Sequence, residues 1–151
     1  MQTDKHEGFN VFFGYFRDIA NQNPTPSNLI LLGDAYMTVQ DPDKAIEVYE
    51  VALAKNPRDP TLTSKMGQAL VVTHQFSKAI NYYKEAVKSD DNFNLRFDLA
   101  SLQQKLKQWD RAEKTIQQAL TDLNDSSLTG LLTEVKLLVL LSKVKHCVNL
   151  F

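Results

Sequence analysis

Four positions recur along the chain with their bulk preserved. Gly33, Gly67 and Ala100 are small, as are Ala45, Ala79 and Ala112, and again Ala52, Ala86 and Ala119; Tyr49, Tyr83 and Ile116 are large. The step is 34 residues from the first set to the second and 33 from the second to the third, and all four positions lose the one residue together. Stacked hairpins of α-helix satisfy this rhythm, because two helices approach closely only where their side chains are small. On this reading Gly33 faces Ala45, Ala52 faces the first helix of the next unit, and Tyr36 and Tyr49 fill the space between these close contacts. Enlarging Ala79 to leucine then overpacks a tight crossing.

The helix punctuation keeps the same period. Thr25-Pro26, Asp41-Pro42 and Asp59-Pro60 each set an N-cap residue before a proline at the first helical position, and Pro57 stops the helix before it. The pattern predicts helices at about 9–21, 27–39, 42–55, 60–73, 76–88, 94–106, 109–122 and 127–146. Composition agrees. Five glycines and five prolines are too few for a turn-rich all-β fold. A formal charge of −1, from 17 basic and 18 acidic residues, gives no general attraction to nucleic acid or anionic membrane. The single cysteine, Cys147, excludes an internal disulfide framework and a multi-cysteine metal site, and suits a reducing compartment. The most apolar stretch, Leu131 to Val144, is interrupted by Thr133, Glu134, Lys136, Ser142 and Lys143, whereas a membrane span needs roughly 20 mostly apolar residues. No membrane insertion is expected, and the chain should face the cytosol.

The two ends read as cut. Phe9, Phe12, Phe13, Tyr15, Phe16 and Ile19 make the first helix apolar on several sides, as suits the second helix of an earlier unit. Leu138-x2-Leu141-Ser142 matches the start of a fourth unit, after a longer connection through Asn124-Asp125-Ser126-Ser127. Truncation from a longer array is the favoured expectation; end helices that fold back, or two chains paired end to end, are the alternatives.

Leu29-x2-Leu32-Gly33-x2-Tyr36 followed by Ala45-x3-Tyr49-x2-Ala52-x4-Pro57 resembles the tetratricopeptide repeat pattern. Unit two departs at Thr63, Leu70 and Asp91, and unit three at Arg96, Gln103 and Asn124. The resemblance implies an all-α, right-handed superhelical solenoid of antiparallel helix pairs. It forms one array: a half repeat at 9–21, repeats at 26–59, 60–92 and 93–125, and the first helix of a fourth at 127–146. Three strings carry more than this generic framework: Leu31 to Met37 (LLGDAYM), Thr63 to Val71 (TSKMGQALV) and Lys107 to Lys114 (KQWDRAEK). They resemble the tetratricopeptide repeat protein 21 family over residues 24–145, while His146 to Phe151 do not continue the pattern. That resemblance implies a fragment or short isoform of an intraflagellar transport complex A subunit. It would act in cilium assembly and retrograde ciliary transport, in the cytoplasm and at the cilium or its base, with other transport-complex subunits as partners.

No residue constellation argues for catalysis, a metal or a cofactor. His6, His74 and His146 share no metal-ligand spacing with one another or with Cys147, and adjacent His146 and Cys147 do not share a helix face. His74 falls in an inter-helix turn, where a solvated or capping role is expected. The function left to the chain is protein binding. In repeat proteins of this type the first helix of each unit lines a concave groove. The candidate groove residues are Ser27, Ile30 and Asp34 in unit one, Ser64, Lys65 and Gln68 in unit two, and Asn94, Phe97, Asp98 and Ser101 in unit three. Chaperone-binding members of the wider family clamp a terminal carboxylate at positions matching Ile30, Asp34, Lys65, Asn94 and Asp98. Here Asp34 replaces an amide and Asp98 a cation, so carboxylate-clamp binding is not expected. The alternative function is a free-standing cytosolic adaptor that holds a peptide in its groove.

Overall fold

The structure is a computed structural model that describes residues 3–90, 93–123 and 128–150. Among these residues there are eight helices: α1 (Thr3–Gln22), α2 (Pro26–Thr38), α3 (Pro42–Lys55), α4 (Pro60–Val72), α5 (Phe76–Ser89), α6 (Phe93–Lys105), α7 (Trp109–Thr121) and α8 (Leu128–Asn149). The six central helices fall within a residue of the predicted bounds; α1 starts six residues earlier than 9–21 and α8 runs three beyond 127–146. The connection at Asn124, Asp125, Ser126 and Ser127 lies outside the described residues, as do Asp91 and the side chains of His6 and Phe9.

The predicted N-caps are in place. Thr25 Oγ1 accepts from the Asn28 amide at 3.2 Å, Asp41 Oδ1 from Lys44 at 3.4 Å and Asp59 Oδ1 from Leu62 at 3.0 Å, each ahead of its N1 proline. The C-termini hold a second periodic device. Gln40, His74 and Lys107, spaced like the repeat, are the non-glycine residues with positive φ among those described, at 61°, 60° and 57°. At each, two amides reach back to the closing turn: Gln40 and Asp41 to Met37 and Tyr36, His74 and Gln75 to Val71 and Leu70, Lys107 and Gln108 to Gln104 and Gln103. These are three Schellman closures in phase. His74 serves its turn with its backbone amide.

The chain divides into two compact units, 1–75 and 76–151, and the division falls inside the predicted second repeat, between α4 and α5. In the first unit α1 packs on α2, α2 on α3 and α3 on α4. Ala45, Tyr49 and Ala52 are buried on α3, as are Leu62, Met66, Ala69 and Leu70 on α4. The space that Gly33 leaves is filled by the Tyr49 ring: a Cβ built at Gly33 would lie 2.7 Å from Cδ1 and 2.8 Å from Cζ. Tyr36 packs toward α1, edge-on to Phe13 with ring centroids 4.9 Å apart.

In the second unit α5 packs on α6, α6 on α7, and α7 on α8. Its core joins Ala100, Ala112, Ile116 and Ala119 to Leu137, Leu140 and Val144. This corrects the expected register of α8. Leu138 is 47% exposed and Ser142 is exposed, so the buried stripe begins one residue before the predicted Leu138-x2-Leu141-Ser142. α8 is apolar on most sides, so its sequence alone does not fix which side turns inward.

Three of the residues that break the repeat pattern, Thr63, Gln103 and Arg96, are polar groups at buried framework sites, each with a partner. Thr63 donates to the Asp59 carbonyl at 2.7 Å, Gln103 Oε1 accepts from Thr115 at 2.8 Å, and Arg96 donates to Asp122 at 2.7 Å. Buried polar groups persist where they are satisfied in this way.

Candidate functional site

All candidate groove residues lie on α2, α4 and α6, and none is buried: Ser27, Gln68 and Asn94 are exposed, while Ile30, Asp34, Ser64, Lys65, Phe97, Asp98 and Ser101 are partly so. Phe97 turns part of its ring onto the core shared by α6, α7 and α8.

Two of the candidates are brought together in the first unit. The Lys65 ammonium on α4 donates to both carboxylate oxygens of Asp34 on α2, at 2.8 and 2.7 Å. The Tyr49 hydroxyl on α3 donates to Asp34 Oδ1 at 2.6 Å. Burial, and then the bond to Asp34, push the Tyr49 phenol well above its usual range, so it remains a donor. One carboxylate thus ties three successive helices. Sequence reading marked Asp34 and Lys65 separately. The signal that joins them is their 31-residue separation, which sets opposite charges at neighbouring places on the first helices of adjacent repeats.

The second unit keeps the tyrosine and changes the charges. Asp98 on α6 stands 33 residues after Lys65, and Tyr83 on α5 stands 34 after Tyr49. Burial, and then the Asp98 charge, push the Tyr83 phenol up, while burial pushes the Asp98 carboxyl up. Neither side chain makes a hydrogen bond or an ion pair among the described residues. The cation nearest in sequence, Arg96, is engaged with Asp122, whose carboxyl is held below its usual range by Gln118 and then by Arg96.

Among the described residues no three His, Cys, Asp or Glu side chains gather for a metal ion, and no helix is long and apolar enough to cross a membrane.

The comparisons with known proteins fit this geometry. Residues 62–150 match the model of the tetratricopeptide repeat protein 21 fourth ARM domain, and residues 26–69 match a tetratricopeptide repeat. The first match runs to residue 150, so the family pattern continues through most of the tail that the sequence reading set apart. Tetratricopeptide repeat protein 21B of Xenopus laevis is 47% identical over 87% of this chain, which spans 10% of that protein. Among solved structures, TTC0263, a tetratricopeptide protein of Thermus thermophilus, shares the fold with a TM-score of 0.73. It is 20% identical, and the likeness covers 89% of this chain and 75% of that one. The TPR2B domain of yeast Sti1, solved as a pHsp70 complex, has a TM-score of 0.71 and 23% identity, over 80% of this chain and 96% of that one. The fold is that of an all-α tetratricopeptide solenoid, and the chain belongs to the tetratricopeptide repeat protein 21 family.

Proposed function

We propose that this chain is a non-catalytic, protein-binding segment of an intraflagellar transport complex A subunit. It would serve cilium assembly and retrograde ciliary transport from the cytoplasm, the cilium or the ciliary base. The observation that carries this reading is the family match over residues 62–150. The chain spans about a tenth of the curated relatives it matches, so its part is that of a segment that offers surface to other subunits. The polar side chains left accessible on α2 and α4 in the first unit, and on α6 in the second, supply such surface within each unit. Asp98 argues against a ligand that ends in a free carboxylate, because it would repel it at short range, and Lys65, the cation that could attract such a ligand, is held by Asp34.

Affinity capture of the tagged chain from ciliated cells, read by mass spectrometry, tests the reading. Several transport-complex subunits are expected to be retained together. Capture of none of them, with tight binding of a defined peptide by the monomeric chain, would establish the free-standing adaptor in its place.

A further inference from the structure

We propose that the carboxylate of Asp98 on α6 receives a lysine or arginine side chain from a protein partner; the proposal rests on the protein-binding reading above and names the chemistry of one of its contacts. The argument comes from comparing the two units. In the first, a partly exposed carboxylate beside the repeat tyrosine is satisfied by an ammonium: Lys65 sits 2.7 Å from Asp34, with the Tyr49 hydroxyl on the same group. The molecule itself displays the ligand that such a carboxylate takes. One repeat on in the sequence, the tyrosine recurs as Tyr83, the acid's register position holds Gln68 of α4, and the cation's holds Asp98 of α6. The carboxylate stands at the cation's register position, and no lysine stands at the acid's.

Within α6 the other charges are Arg96, which holds Asp122, and Lys105, seven residues on from Asp98 at the helix end. Asp98 is half-buried, so its charge is poorly hydrated and an incoming cation meets a stronger field than at an open surface. Asn94 and Ser101 lie at i−4 and i+3 from it, on the same face of α6, and offer further polar groups around an arriving side chain. A partner segment with an exposed lysine or arginine fits this strip, and an acidic one does not.

The test uses the intact 151-residue chain and three acetylated, amidated tripeptides: glycyl-lysyl-glycine, glycyl-arginyl-glycine and glycyl-norleucyl-glycine. Each is titrated while NMR follows the side-chain carboxyl signals of Asp34 and Asp98 and the ring of Tyr83. The lysyl and arginyl peptides are expected to give saturable shifts at Asp98 and Tyr83. Asp34 stays still because Lys65 occupies it, and the norleucyl peptide moves neither. Asp98→Asn should weaken the binding about fivefold, the scale of one solvent-accessible ion pair. Lys65→Met should open Asp34 and add a second saturating site there, which keeps the test decisive even if the Asp98 variant folds poorly. No saturation at Asp98, or equal movement of exposed carboxylates such as Asp18 and Asp43, overturns the proposal. A negative titration with successful capture of the transport-complex subunits removes this contact alone; a positive titration with failed capture removes the complex assignment alone.

Discussion

Gly33 lies under the ring of Tyr49, so close that a methyl group in place of its hydrogen would meet ring carbons at less than 3 Å. Tyr49 is 1% exposed, and its hydroxyl is held by Asp34, which Lys65 holds in turn. The ring therefore has nowhere to move. This one relationship accounts for two of the four recurring positions in repeat one: the glycine and the tyrosine are a matched pair across the α2–α3 crossing.

Gly33→Ala is accordingly expected to destabilise the protein. Alanine brings a helix-propensity gain of about 1 kcal/mol, and overpacking a core costs about 1–3 kcal/mol. With Tyr49 pinned, the second effect prevails. Denaturant unfolding should give a lower midpoint for the variant, and Gly33→Ala combined with Tyr49→Leu should recover much of the loss.

The Asp34–Lys65 pair predicts a measurable coupling. The two side chains are 39% and 27% exposed, so the pair is screened only in part. A double-mutant cycle with Asp34→Asn and Lys65→Met should return about 0.5–1 kcal/mol at low ionic strength, near the upper end for accessible pairs. The coupling should fall as salt is added. Unfolding curves at several salt concentrations check this.

The in-phase helix closures predict an easy gain. Gln40, His74 and Lys107 hold a left-handed backbone that costs an L-residue about 1–2 kcal/mol, and glycine occupies it freely. After glycine's larger entropy loss on folding, Lys107→Gly should raise stability by about 0.5–1 kcal/mol. Glycine at the partly exposed position Gln104, on the preceding turn of α6, should lower it. Thermal melts of the two variants separate these outcomes.

The corrected register of α8 predicts unequal neighbours. Leu137 is fully buried and Leu138 is 47% exposed. Leu137→Ala should cost about 2–5 kcal/mol, as large-to-small core changes do, and Leu138→Ala less than about 1 kcal/mol. Equal losses would restore the register read from the sequence.

The parts of this fold that sequence reasoning reached are those where one residue type has one physical use. Thr25-Pro26, Asp41-Pro42 and Asp59-Pro60 admit little besides a capped helix start, and all three are capped. The small-residue phase located α2 to α7 because alanine and glycine at a fixed period mark close crossings. The parts it missed lack that uniqueness. The C-terminal closures escaped notice because Gln40, His74 and Lys107 stand where glycine is the usual signal. The inward face of α8 was ambiguous because leucine and valine lie on every side of it. Arg96 and Gln103 read as departures, and only their partners Asp122 and Thr115 explain how polar groups occupy framework sites. For the candidate site, the sequence supplied the face and its charges; the pairing of Asp34 with Lys65, and the lack of a like partner for Asp98, required the packing.

The central claim is that the recurring small and large positions are complementary surfaces of packed helical hairpins. Nuclear Overhauser contacts in the 151-residue chain, with Gly33 and Tyr49 selectively labelled, test it most directly. The account predicts strong cross-peaks between the Gly33 α-protons and the Tyr49 ring protons. Absence of those cross-peaks in a folded, helical sample, or Gly33 α-protons whose nearest ring is another aromatic residue, would contradict it.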